Sequence, residues 1–475
     1  MLLKYRFVLV LLLISFIAGC NPSRTLVEKQ IVALKNNSLE KDWDSKFNVS
    51  TSSTDYLLYN EEAGRLALIN GEYSKSLQYF NNVLFDYNQN EMHATINVSD
   101  TSRTILASTI GSDSNLVYYG SDFERVLANF YQAINYLKQN KLEKSIVEVR
   151  AAHDIQKYAQ AKREKRIAGQ EEKLRKYNFS KEIKDQLNGA NNIVSNEKNK
   201  FLNAYVYYIS GNIRELTGDF NSALVDYKNA LELYPNNKSI LEDALRLSKV
   251  YDGEYYDSLQ KKYHNATYND VESYDSSKTV LLIYDQGFIP KKSVFNFGMY
   301  LSNSFVKLSV PIYDTPAEPL KNVSGSVWAN NKLVSLGTFN ELSNNYVFAK
   351  NDLQEKYVGI ITRQIARLTS KTVVQESLGR SSSNDTQLLG GILGVASLLT
   401  EWADTRSMIS LPMYTQVLKL NTKTNINQVK VSINNMEHVV NLNFNNNDIA
   451  IIYIVDTGGY VYSDVIFQGN KVNFN

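Results

Sequence analysis

The sequence predicts a multidomain α+β protein: an all-helical N-terminal array over 55–264, then a C-terminal α+β domain rich in antiparallel strands over 265–475. Three observations carry this. Residues 55–264 place apolar side chains at helical spacing. Within that stretch the segments starting at Glu61 and at Gly211 repeat each other. From about residue 265 the apolar runs become short and β-branched, separated by Asn, Gly and Asp, as strands and turns are. At 475 residues, 43% hydrophobic and 21% charged, the chain is long enough for roughly two to four domains with buried cores.

The N-terminus is an address. Lys4 and Arg6 precede an apolar run, Phe7 to Phe16, broken only by Ser15 and too short to span a bilayer as a mature helix. It ends in Ile17-Ala18-Gly19-Cys20, small residues before a cysteine. Residues 1–19 therefore form a signal peptide. Cys20 is the only cysteine, which excludes an intrachain disulfide framework and any Cys-cluster metal site. The string resembles the lipobox of bacterial lipoproteins, which implies a diacylglyceryl group on the Cys20 thiol, cleavage before it and acylation of the new amine. A free thiol after an ordinary secretory signal is the alternative. Two or three acyl chains anchor stably where one is marginal, since each buried methylene contributes about 0.8 kcal/mol. Asn21, not Asp, follows Cys20, which by the enteric sorting rule points to the outer membrane, facing the periplasm; the inner membrane and cell surface stay open. Cleavage removes Lys4 and Arg6 and no acid, so 51 basic residues against 49 acidic become 49 of each. A formally neutral mature chain gives no electrostatic reason to expect nucleic acid.

Residues 20–54 carry the acylation site and a polar tether, with room for one short helix in the weak periodicity of Leu26, Ile31, Val32 and Leu34. The two repeated segments then align Gly64 with Gly211, Gly71 with Gly218, Tyr73 with Phe220, Ser76 with Ala223 and Phe80 with Tyr227; Ala230 and Pro235 complete the second. This pattern resembles the tetratricopeptide repeat. The spacing has a mechanical basis: the early Gly and later small residue sit where two helices cross, and the turn Gly accepts a positive φ. The later aromatic fills the gap to the next unit, and Pro closes the helix. A third unit, from about Phe123 to His153, has Ala133, Asn140, Ser145 and Val149 at the matching offsets, with Asn for the turn Gly. Its second helix continues through Gln156–Lys176, where interleaved Glu164, Glu171 and Glu172 favour a solvated face over an anion-binding one.

In the C-terminal domain, strands are expected within 279–340, with a hairpin at Asn330-Asn331. Helices follow within 352–402, Asp352 serving as N-cap or first-turn acid. Strands return within 407–467 as a β-sandwich or meander, the first at Met408–Leu420. The apolar Leu388–Leu399 run carries Gly390 and Gly394, a spacing for close helix packing, and is too short to span a bilayer.

Little here assembles chemistry. His93, His153, His264 and His438 lack ligand-spaced partners, and no HExxH, GxSxG, P-loop or Rossmann fingerprint occurs. No catalytic residue, metal or cofactor is assigned, and the chain is expected not to be an enzyme. The most idiosyncratic string is Glu401-Trp402-Ala403-Asp404-Thr405-Arg406-Ser407 through Leu411-Pro412. It lines a binding cleft, or Asp404 or Glu401 pairs with Arg406 or Arg363 to fix a junction; the second is the commoner arrangement.

Together, Arg363-Gln364-Ile365-Ala366-Arg367, Gly390-Gly391 and Thr400 through Pro412 resemble an uncharacterised family of Gram-negative lipoproteins with tetratricopeptide repeats. Tyr119-Gly120-Ser121-Asp122-Phe123-Glu124-Arg125 fits a further family string, lacking its Glu before Gly. The family has no established reaction, and its association with envelope lipoproteins that activate penicillin-binding proteins implies work on the cell wall. The expected function is a membrane-anchored scaffold or adaptor for envelope proteins, the concave face of the repeats reading peptides. The alternatives are glycan or peptidoglycan binding by the C-terminal domain, a periplasmic hydrolase, and outer-membrane assembly.

Overall fold

The computed structural model describes residues 22–96, 113, 116–176, 202–264, 278–301, 304–329, 332–379, 402–423 and 426–469. Cys20, Glu401 and the Gly390–Gly394 run lie outside the described residues. The architecture is α+β.

Helix α1 (Pro22–Lys35) is the one short helix that the polar segment allowed, and it is docked on the body. Val27, Ile31 and Leu34 recur at i, i+4 and i+7 and are buried, so one narrow stripe docks an otherwise polar segment. The Tyr462 hydroxyl donates to the Leu34 carbonyl at 3.0 Å, holding the end of α1 on the sheet. A turn over Ser45–Phe47 continues the docking, with Trp43 and Phe47 meeting edge-on at 5.7 Å.

Four antiparallel helix pairs follow among the described residues: α2 (Tyr56–Ile69) with α3 (Tyr73–Ile96), α4 (Asp122–Lys138) with α5 (Leu142–Lys176), α6 (Ala204–Glu215) with α7 (Phe220–Leu233), and α8 (Lys238–Tyr251) with α9 (Gly253–Lys262). The first three turns use the positive φ expected of them: Gly71 at +76°, Asn140 at +57° and Gly218 at +75°. Asp219 caps α7 by accepting from the Ser222 N–H, and Pro235 lies just beyond its end. Ser76 donates to the Gly64 carbonyl at 2.8 Å, and Ala223 is fully buried. The aromatics also pack within their own pair, which the expectation did not include. Phe80 and Tyr227 press on the early glycine of their own pair: a Cβ on Gly64 would lie 3.0 Å from the Phe80 ring, and one on Gly211 2.5 Å from the Tyr227 ring. Phe80 also reaches the next pair, its centroid 5.8 Å from that of Tyr131.

Among the described residues the strands form three sheets. A five-stranded sheet has the order β11 (Val461–Gln468), β10 (Ile449–Asp456), β1 (Lys278–Gln286), β7 (Tyr414–Thr422), β6 (Asn340–Asn344). A four-stranded sheet has the order β5 (Lys332–Thr338), β4 (Val323–Ala329), β8 (Ile426–Ile433), β9 (Met436–Asn441). β2 (Ser293–Leu301) and β3 (Ser304–Ile312) pair as a hairpin. β4 and β5 pair antiparallel as the expected hairpin requires, with Ala329 opposite Lys332; Asn330 and Asn331 themselves lie outside the described residues. The expected single sandwich or meander over 407–467 does not: its strands divide between two sheets, and β10 runs parallel to β1.

The five-stranded sheet is the middle layer. Leu281, Ile283, Ile451, Tyr453 and Val455 face the helices, while Val280, Leu282, Tyr284, Ile452 and Ile454 face the four-stranded sheet, the two-residue period of a strand buried on both sides. The helix-side cluster runs without interruption from Val27 of α1 to Ile466 of β11, so the helical array and the sheet share one core.

Helix α10 (Asn345–Gly379) begins seven residues before Asp352. Asn344 caps it, accepting from the Val347 N–H at 3.1 Å, while Asp352 pairs with Lys356 at 2.7 Å. Tyr346, Val347 and Phe348 have strand propensity and hid the first turn. Likewise residues 408–413, expected as strand, form none.

Candidate functional site

The inner helices α2, α4, α6 and α8 meet the sheet and the segment 402–413 along a line of buried polar side chains. On α2, Glu62 accepts from the Ile409 and Ser410 N–H groups at 2.6 and 3.1 Å. On α4, Glu124 accepts from the Met408 N–H at 2.9 Å and from the Tyr118 hydroxyl at 2.8 Å. Three consecutive backbone donors thus go to helix carboxylates, which is why 408–410 join no sheet. One turn along α2, Arg65 crosses to β1 and β10, donating to Asp285 at 2.9 Å and to the Tyr453 hydroxyl at 2.5 Å. Thr415 donates to the other Asp285 oxygen at 2.6 Å. At the far end, Lys419 of β7 donates to Asp243 at 2.9 Å and Asn212 at 2.8 Å, binding α8 and α6 to the sheet.

Burial shapes the charge here. Burial and the nearby Glu124 carboxylate push Glu61 well above its ordinary value. Burial raises Glu62 to about 8, against the hydrogen bonds it receives. Burial also opposes ionisation of Glu215, yet Arg246 and Lys419 beside it hold its carboxyl at about 2. This line of contacts, a clasp between the array and the sheet, thus has paired charges at its sheet end and one carboxyl raised by burial, Glu62, at its 402–413 end.

Of the junction candidates, Arg406 is 4% exposed and grips Asp404 at 2.9 and 2.8 Å, Asp55 at 2.7 Å and the Leu116 carbonyl at 2.8 Å. Arg406 and Asp404 therefore fix the junction, and its exposed neighbour Trp402 stands at the surface. Arg363 is not part of it: it joins Arg367 on Asp113, at 3.2 and 2.7 Å. Glu62, Arg65, Asp285 and Lys419 were not singled out in the sequence, and Glu61 and Glu124 entered only as members of the repeat and of the family string. Their signal is a charged side chain at a core position, as with Lys419 between Leu418 and Leu420.

An open cleft of about 430 Å³ lies beside this line, between the α2–α3 turn and strands β10 and β11. Tyr73, Lys138, Tyr462 and Asp464 line it, with Tyr453 at its base. Asp464 is its polar centre, paired with Lys138 at 2.6 Å and bonded to the Tyr73 hydroxyl.

One pair bears on hydrolysis: His438 Nε2 lies 2.8 Å from Ser463 Oγ. Along β11, Tyr462 and Ile466 face the helices, whereas Val461 and Val465 face the four-stranded sheet. The alternation turns Ser463 Oγ to the second side, toward His438 of the four-stranded sheet. Among the described residues no carboxylate lies within hydrogen-bond reach of His438, so the third member of a triad is missing. No group of His, Cys, Asp and Glu suited to a metal occurs among the described residues, and none of their helices is long and apolar enough to cross a membrane.

No family model matches the chain, and no curated protein matches it.

Proposed function

We propose that the protein is a membrane-anchored, periplasm-facing lipoprotein that serves as a rigid scaffold for other envelope proteins, its helix pairs forming a tetratricopeptide-type array. One observation carries this reading and reshapes it. The inner helices, whose concave face would receive a peptide in a free array, are filled by the chain's own C-terminal domain through Glu62, Glu124, Arg65 and Lys419. Partner contact therefore passes to the outer helices, where Phe85, Val147 and Val225 are 66%, 60% and 54% exposed.

The test is photocrosslinking in the cell from residues 85, 147 and 225, with the fully buried Leu66 as control. Specific adducts with envelope proteins from the outer positions are expected. No adduct from any of them would sink the scaffold reading.

Glycan binding remains the second reading because the cleft combines Tyr73 and Tyr462 with Asp464 and Lys138. Retention of the full chain on isolated peptidoglycan, lost in Asp464→Ala, is the outcome it requires.

A further inference from the structure

We infer that the folded body lies directly against the phospholipid bilayer, with the first turns of α1 and the 287–292 loop as its lipid-contacting face. This rests on the proposed acylation of Cys20 and adds an orientation to it.

The argument is one of chain length. Only Asn21 stands between Cys20 and Pro22, where α1 begins. Two residue steps of extended chain reach about 7 Å. An acyl group on Cys20 would therefore hold the start of α1 at headgroup depth, provided that α1 does not swing free. It is fixed at both ends. At its start, Arg24 donates to the Lys292 carbonyl at 3.1 Å and pairs with Glu28, which also receives Lys291 at 3.0 Å. At its end, the Leu34 carbonyl accepts from Tyr462, and the Lys35 carbonyl lies so close to Gly459 that a Cβ there would meet it at 2.5 Å. The 287–292 loop is equally rigid: Ile289 is buried and donates its N–H to the Leu411 carbonyl at 2.9 Å, and Lys292 donates to the Arg406 carbonyl at 2.8 Å. The short link therefore positions the whole body. The face it presents carries Arg24 and Lys291 against Glu28, a net positive charge of the sign that anionic headgroups attract.

The test uses the full acylated chain in vesicles of phosphatidylethanolamine and phosphatidylglycerol with nitroxide-labelled headgroups. With Cys20 alkylated, an introduced cysteine is the only free thiol. A fluorophore on Lys291→Cys should be quenched at least twofold more than one on Lys261→Cys, in the last helix of the array. A 20-residue Gly/Ser spacer between Asn21 and Pro22, with a root-mean-square span of about 25 Å, should abolish that difference and leave membrane fractionation unchanged. Equal quenching at 291 and 261 in the unspaced chain, or a difference that survives the spacer, overturns the inference. Recovery of the unspaced chain in the soluble fraction would instead remove the acylation itself, and the inference with it.

Discussion

Glu62 shows how a single side chain couples the helical array to the rest of the molecule. It sits fully inside the protein, where burial is the largest influence on its ionisation and raises its pKa to about 8. The folded protein therefore holds a proton that the unfolded chain, with an ordinary carboxyl near 4.5, releases. Unfolding frees that proton, so its contribution is complete below about pH 4.5 and is lost as pH rises through about 8, over a span of a few kcal/mol. Glu62→Gln keeps the shape and the acceptor for Ile409 and removes the titration. Urea unfolding from pH 5 to pH 8.5 should show wild type losing stability relative to Glu62→Gln; parallel curves would refute the protonated clasp. Such residues were hard to see in the sequence. Glu61, Glu62 and Arg65 look like the wet face of an amphipathic helix, because periodicity marks apolar stripes and is blind to charges that are buried in pairs. Arg406 with Asp404 was visible only because the two are neighbours in the chain.

At the scale of elements, the helix pairs were the most legible part. Gly71, Asn140 and Gly218 mark three turns because the left-handed conformation they adopt restricts the choice of residue. The strand partners were not legible. β1 and β10 are both continuous apolar runs, and nothing in such a run states that its neighbour is 170 residues away and parallel. The two repeat glycines differ in a way that can be measured. At Gly211 a Cβ would lie 2.5 Å from the Tyr227 ring, which is fully buried and tied through its hydroxyl to Glu215. That ring cannot yield. At Gly64 the Phe80 ring stands 3.0 Å away with no hydroxyl to hold it. Gly211→Ala should cost about 1–3 kcal/mol through overpacking. Gly64→Ala should fall within about 1 kcal/mol of wild type, because the gain in helix propensity offsets a smaller strain. Urea midpoints of the two variants test the order, and a Gly64→Ala cost equal to or above that of Gly211→Ala would contradict it.

At the scale of the whole molecule, the boundary near residue 264 divides the sequence without dividing the core. The change in composition there is real, since helices precede it and strands follow, but Leu281, Ile283, Ile451, Tyr453 and Val455 are covered by the helices. A chain cut at this boundary would expose that face and leave Asp285 and Lys419 without Arg65 and Asp243. Removing one partner of a buried ion pair costs about 3–5 kcal/mol, a large part of the roughly 5–15 kcal/mol that stabilises a typical domain. Residues 265–475 expressed alone should therefore lack a cooperative urea transition, and adding residues 21–264 should restore one. A cooperative transition of the isolated fragment, with its near-ultraviolet circular dichroism intact, would show that the sheet folds without the array. The same shared core is what lets a two-residue link at Cys20 orient the molecule. A hinge at residue 264 would leave the C-terminal half free to turn, whereas a body clasped from Glu62 to Lys419 must follow its first helix.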